Sequence, residues 1–254
     1  MSYLTPGNVI LVTGATGAIG FEIAAQAASA GAIVAVHGST RKSVDEAQQR
    51  LQGRVNDAQL IGAPCDFRQA GAIEAMVAEV ARAGGRLDAV VHCAITGASG
   101  ISGVFAQADP ASFGTHAALV LGCFEQLCFF ALPHLAKQGG TIVGFASDAG
   151  RFAAPRQALV GGAFGGIMSF VRNLALETAR DGVRVHCISP TFVENTPVFD
   201  SYVANGGRVD SARKRAGLGL PHPTDIAPVV LFLCGPGATR ITGQVISING
   251  GLAA

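Results

Sequence analysis

The chain has no tryptophan, only two tyrosines, and few charges. Charged residues make up 14% of its 254 positions, against the ~25% usual in globular chains. So sparse a charged surface predicts that other subunits cover part of it, although an alanine- and glycine-rich composition would have the same effect. Net charge is +1 with no basic block or stripe, which excludes nucleic acid or an anionic membrane surface as the main partner. No apolar run approaches the ~20 residues of a bilayer span. Residues 1–8 carry no basic segment ahead of an apolar one, so no secretory signal is read there. Cys65, Cys93, Cys123, Cys128, Cys187 and Cys234 are scattered in apolar surroundings without a CxxC pair. They read as small buried hydrophobes in a reducing compartment, not as disulfides or metal ligands. The expected location is the cytoplasm, with no membrane contact and no metal.

What is present is hydrophobic sequence, 49% of the chain, arranged in short apolar runs that alternate with longer alanine-rich stretches. Strands are predicted at 9–12, 33–36, 60–64, 87–93, 141–146, 183–189 and 244–248. Helices are predicted at 21–30, 43–51, 70–83, 111–137, 158–179 and 224–233. Asp45 and Glu46 stand near the start of the second helix, where the dipole favours acids; Gly84-Gly85 ends the third. Strands separated by helices imply a parallel sheet covered on both faces, a three-layer α/β/α arrangement. Nothing interrupts the alternation, so residues 1–254 are read as one domain. Residues 192–220 form the one long irregular stretch and are the natural candidate for a lid.

Between the first strand and first helix lies Val12-Thr13-Gly14-Ala15-Thr16-Gly17-Ala18-Ile19-Gly20. Glycines there let backbone approach a pyrophosphate, and the helix N-terminus offers free N–H groups and partial positive charge. A tight turn kept only for packing is the alternative. This motif, in this place, resembles the short-chain dehydrogenase/reductase family with its Rossmann-like doubly wound sheet. The single-domain branch has Thr-Gly-x-x-x-Gly-x-Gly; here Ala18 replaces the middle glycine and Gly17 supplies one a position earlier, a spacing similar to that of the longer branch.

The resemblance extends along the chain. Cys65-Asp66 matches the family's adenine-contacting Asp, though a surface Asp opening a turn would look the same. After the second strand, His37-Gly38-Ser39-Thr40-Arg41 lacks the acid that binds the ribose of NAD, and Arg41 tilts the choice toward NADP if any dinucleotide binds. Val91-His92-Cys93-Ala94-Ile95 stands where the family has Asn-Asn-Ala-Gly, with only Ala94 kept. Ser189-Pro190-Thr191 resembles the Pro-Gly turn. It places Val193 and Thr196 where the nicotinamide amide and phosphate would lie. Asn249-Gly250-Gly251 resembles the closing Asp-Gly-Gly. The resemblance therefore implies Thr13, Gly14, Thr16, Gly17, Ile19, Gly20, Arg41, Asp66, Ala94, Pro190, Val193 and Thr196 as cofactor contacts.

The family's chemistry uses a Ser after the fifth strand, a Tyr thirteen residues on, a Lys four beyond, and an Asn on the preceding long helix. A free Tyr has a pKa near ~10, so phenolate is scarce at neutral pH unless an ammonium favours it. Ser147, followed by Asp148-Ala149-Gly150, takes the serine place. The Tyr and Lys positions hold Val160 and Phe164, no Tyr or Lys occurs between 138 and 201, and Leu119 stands about where the Asn belongs. An apolar pair removes phenol and cation together, which can be nearly neutral for stability. General acid–base catalysis contributes ~10²–10⁴-fold, so ordinary carbonyl reduction should be very poor. Asp148, Arg151, Arg156, His92, His116, Glu194 and Tyr202 are the polar groups expected near the cleft. His92, ending a strand, is the first substitute proton donor to consider.

Two expectations follow. One is a non-catalytic member, a subunit of a homo- or hetero-oligomer with other family chains, packed through the helices at 111–137 and 158–179 and the last strand. The other is an NADP(H)-dependent oxidoreductase, or a non-redox enzyme, acting on a small carbonyl or alcohol with a non-standard proton donor. A dinucleotide-sensing module is a third possibility.

Overall fold

The computed structural model describes residues 3–94, 102–204, 206–207 and 209–253. Seven parallel strands form one sheet in the order β3-β2-β1-β4-β5-β6-β7. They are β1 (Val9–Thr13), β2 (Ile33–Gly38), β3 (Gln59–Pro64), β4 (Ala89–His92), β5 (Gly140–Phe145), β6 (Val183–Pro190) and β7 (Val245–Ile248). Alternate residues of each strand feed opposite faces, as period-two geometry requires. Val9, Leu11, Val90 and Ile142 join one apolar layer with α3 (Ala72–Gly84), α5 (Cys123–Leu135) and α6 (Ala158–Thr178). Ile10, Val12, Val91 and Val143 join the other with α1 (Ala18–Ser29), α2 (Arg41–Arg54) and α9 (Pro223–Cys234). The strands read as continuous apolar runs because both faces are covered.

Strand order reverses between β1 and β4, and this crevice is where open α/β sheets bind ligands. Two glycines set its shape. Gly14 has φ +68, and a Cβ there would lie 2.8 Å from the Ala94 nitrogen; a Cβ on Gly20 would lie 2.3 Å from the Gly14 carbonyl oxygen. The turn therefore packs on the end of β4 and on its own helix with no room for a side chain. Gly17 is the N-cap of α1, so the helix starts at Ala18, earlier than the apolar pattern suggested.

Three further differences from the sequence expectation have physical causes. The helix expected at 111–137 is broken into α4 (Phe113–Ala117), a π turn (Ala118–Gly122) and α5. Apolar periodicity does not register one inserted residue, and π turns of this kind recur at functional sites. The irregular stretch 192–220 contains α7 (Pro197–Ala204) and α8 (Asp210–Arg215). These helices share a small separate core of Phe199, Val209, Ala212, Ala216 and Leu220 with Leu252. Lastly, Pro110–Leu135 and Ala158–Asp181 are long and apolar enough, by length and composition, to cross a membrane. This corrects the expectation that nothing approaches such a span. Each gives one face to the layer over the sheet, so packing in an α/β/α sandwich accounts for that part of its apolar character.

Candidate functional site

At the glycine turn no side chain caps α1, so its first N–H groups keep the orphan donors of any helix start. Gly17 is exposed there. The turn is fixed from below. The Gly14 N–H donates to Nδ1 of His37 at 3.0 Å, the Ala15 N–H donates to the His37 carbonyl, and His37 Nε2 donates to the Cys65 carbonyl at 3.0 Å. These contacts assign a neutral Nε2–H ring to His37, and burial pushes its pKa down to about 4. Thr13 Oγ1 accepts from the Ala94 N–H and meets His92 Nδ1 at 2.9 Å. A pyrophosphate would fit the uncapped helix start of Ala18 and Ile19 with Thr16 and Gly17 beside it.

The adenosine end is less open. Thr40 and Ser43 form a reciprocal capping box at the start of α2, which satisfies two donors a phosphate could otherwise use. Arg41 is exposed, loosely paired with Asp45 at 3.8 Å, and remains available to an anion. Asp66 is not free. It accepts from the Arg68 N–H and pairs with the guanidinium at 2.7 Å. These Arg68 hydrogen bonds lower its pKa to about 2. Asp66 thus opens its own turn in this conformation, the reading left open as the alternative to an adenine contact.

Behind the crevice four rings stack in sequence: His37 on Phe67 at 4.6 Å, Phe67 on His92 at 5.9 Å, and His92 on Phe124 at 5.2 Å. His92 is 3% exposed. Burial, with His37 nearby, pushes its pKa down to about 3. Its place between the Phe67 and Phe124 rings, with Nδ1 on the Thr13 hydroxyl, makes it a packing element that anchors Thr13; the expectation of His92 as the substitute donor rests on the sequence alone.

At the catalytic positions, Ser147 caps a 3-10 turn (Asp148–Gly150), its Oγ accepting from the Ala149 N–H at 3.3 Å. That turn lies directly on the backbone of α6. A Cβ on Gly150 would stand 2.5 Å from the Gly165 nitrogen, and one on Gly161 would stand 2.7 Å from the Ala149 oxygen. Gly150 of the turn and Gly161 of α6 are therefore required for the turn to dock. Val160 and Phe164 are 7% and 5% exposed and belong to the apolar layer that includes Ala94, Val120, Ala146 and Met168. Leu119 lies within the π turn and packs against the same layer. The three side chains that the sequence pattern put at the Tyr, Lys and Asn places, Val160, Phe164 and Leu119, are thus hydrocarbon and packed in this layer.

Sequence reasoning placed Asp148 among surface groups near the cleft; the structure buries it. Its Oδ1 accepts from Ser189 Oγ at 2.8 Å and Ser247 Oγ at 2.6 Å. Its Oδ2 accepts from Thr191 Oγ1 at 2.9 Å and Asn249 Nδ2 at 2.5 Å. Four donors fill the two oxygens, as a buried carboxylate requires. A signal did exist: Ser189 and Thr191 share one face of one strand end, Ser247 and Asn249 share one face of the next, and Ser189 sits beside Ser247 in register.

At the end of β6 the sequence-assigned contacts are already occupied by protein. Pro190 ends β6, and Val193 is buried in the second layer. Thr196 Oγ1 donates to the Val193 carbonyl and accepts from the Phe199 N–H, so its hydroxyl is spent on capping α7. Glu194 pairs with Arg213 at 2.7 Å, Tyr202 leans on Phe192, and Arg151 reaches Ser247. Arg156 has φ +64, and its carbonyl accepts from the Gly103 N–H. His116 is buried with neither ring nitrogen hydrogen-bonded. Ile95 lies outside the described residues. All six cysteines are free, and among the described residues no group of three His, Cys, Asp or Glu could hold a metal ion.

Comparison with known proteins agrees with this geometry. The family model described as enoyl-(acyl carrier protein) reductase matches residues 14–253. The short-chain reductase protein NovJ of Streptomyces niveus is 32% identical, over 96% of this chain and 93% of its own. A short-chain type dehydrogenase/reductase of Mycobacterium ulcerans superposes with a TM-score of 0.91 at 25% identity, covering 98% of this chain and 90% of that one. An actinorhodin polyketide ketoreductase solved with NADPH superposes with a TM-score of 0.86 at 29% identity, covering 96% and 97%. On its matched length and its fold, this chain belongs to the short-chain dehydrogenase/reductase family.

Proposed function

We propose that this chain is a family member without the usual oxidoreductase catalysis, acting as a non-catalytic subunit of a homo- or hetero-oligomer that includes other family chains. The observation that carries the reading is the burial of Val160 and Phe164 in the apolar layer beside the Ser147 turn. A scaffold with no phenol and no ammonium there lacks the family's usual means of delivering the proton that carbonyl reduction consumes. Outward-facing apolar side chains support the assembly: Phe129 on α5 is 70% exposed and Leu176 on α6 is 78% exposed. Burying such groups against another subunit is favourable.

Dinucleotide binding belongs to the same proposal in a reduced form. The uncapped α1 start and Gly17 suit a pyrophosphate, and Arg41 suits the extra phosphate of NADP better than the diol of NAD. When bound, the nicotinamide would supply hydride chemistry; this chain's own residues would only hold the pyrophosphate and exclude water from the other end. A second reading, an NADP(H)-dependent oxidoreductase or non-redox enzyme with another donor, is favoured by the reductase names of the relatives and the NADPH of the actinorhodin enzyme.

Fluorescence titration with NADPH and NADH, a panel of ketones and alcohols, and native mass analysis of the protein purified from its own cells separate the readings. Oligomers with a Tyr- and Lys-bearing relative, and no turnover by the isolated chain, are expected. A homo-oligomer turning over substrate, with the rate surviving His92→Ala, would establish the second reading.

A further inference from the structure

We propose that residues 191–204, 206–207 and 209–222 and the C-terminal tail 249–253 form one body whose two roots, Thr191 and Asn249, share the carboxylate of Asp148 on the Ser147 turn. The parts are tied first to each other. Leu252 of the tail sits in the small core of Phe199, Val209, Ala212, Ala216 and Leu220, which is separate from both main apolar layers. The Leu218 N–H donates to the Gly250 carbonyl at 3.0 Å, and Arg215 Nη2 donates to the Leu252 carbonyl at 3.1 Å. Gly250 touches Gly219 so closely that a Cβ would overlap its carbonyl. At the base, the Glu194 N–H donates to the Pro221 carbonyl at 2.9 Å, and Asn195 Nδ2 meets His222 Nδ1 at 2.9 Å.

The body then hangs from two roots, and both end on Asp148. Thr191 is the root of the lid segment and Asn249 the root of the tail. Asn249 also holds the tail together: its Nδ2 donates to the Ala253 carbonyl and its Oδ1 accepts from the Gly251 N–H. Ser189 and Ser247 fix the other oxygen to the sheet. Asp148 stands next to Ser147 in sequence and within its turn. Movement of the tail is thereby mechanically linked to movement of α7 and α8, and Asp148 is the positioning residue at the joint.

Hydrogen exchange by mass spectrometry on the full-length protein tests this. In Asp148→Asn, amides in 191–204, 209–222 and 249–253 should exchange at least ~10-fold faster while the β5 and β6 amides keep their protection, the signature of a local opening unit. Leu252→Ala, whose side chain lies in the small core and not against Asp148, should loosen both segments together, and Thr191→Val, which removes one root's hydroxyl from the carboxylate, should do the same and carries the test if Asp148→Asn does not fold. Acceleration of one segment without the other, or a uniform rise across the sheet, overturns the proposal. Its failure would leave the catalytic reading untouched, because no proton transfer enters it.

Discussion

The two ends of the crevice have diverged in opposite ways. At the glycine turn the motif departs from the family spacing, with Ala18 in place of a glycine, yet the physical features a pyrophosphate needs remain: an uncapped helix start and an exposed Gly17. At the Ser147 turn the scaffold is held more firmly than the first, by α6 glycines on one side and four donors to Asp148 on the other. The acid–base groups opposite it are nevertheless hydrocarbon. Shape and chemistry are thus carried by different residues. Gly150, Gly161 and Gly165 fix the approach of turn to helix whatever occupies positions 160 and 164.

That separation can be tested from its strongest consequence downward. Gly20→Val should abolish folded protein or cost more than about 3 kcal/mol, since backbone rather than a flexible side chain blocks the new atoms; thermal melts and expression yield measure it. Phe164→Lys should destabilise by about 3 kcal/mol in denaturant titration, because an unpaired ammonium enters an apolar layer. In Val160→Tyr/Phe164→Lys, by contrast, carbonyl turnover with NADPH should rise by at least ~10²-fold if the Ser147 frame alone was waiting for its partners. An unchanged rate in a folded double variant would mean that the frame, too, has drifted.

Acid stability sharpens the comparison further. His37, His92 and His186 are all held neutral by burial, with pKa values pushed to about 4, 3 and 4. The unfolded chain takes up protons near the ordinary value of ~6.5, whereas the folded rings do so only well below it. Stability is therefore whole above ~6.5 and falls as pH drops below it by up to ~1.4 kcal/mol per unit for each ring, levelling below about 4 for His37 and His186 and below about 3 for His92. His37→Gln should flatten part of that slope. Because the Gly14 N–H rests on His37, the glycine-turn end should fail first, read as faster exchange at residues 13–20 than at 145–150 between pH 6 and 5. The smallest effect should come from Ala18→Gly, which restores the family glycine and should change NADPH affinity by less than about 3-fold, because Gly17 already leaves the approach open.

Much of this was legible in the sequence. Strand positions were visible because both-face burial makes them unbroken apolar runs, and the absence of any Tyr or Lys between 138 and 201 could be read directly. Three things were not. The partners of Asp148 lie on strands distant in sequence, and only a period-two pattern of hydroxyls hinted at them. His37 was given no role by the sequence, yet it turns inward to hold Gly14. The lid core needs Leu252, far from the segment it completes, so residues 192–220 alone resembled loop.

The most direct measurement is steady-state reduction of a ketone panel by the isolated wild-type chain with saturating NADPH. A rate at least ~10³-fold below the ~10 s⁻¹ typical of enzymes is expected, given an absent acid–base couple. Turnover within an order of magnitude of that typical value would contradict the account.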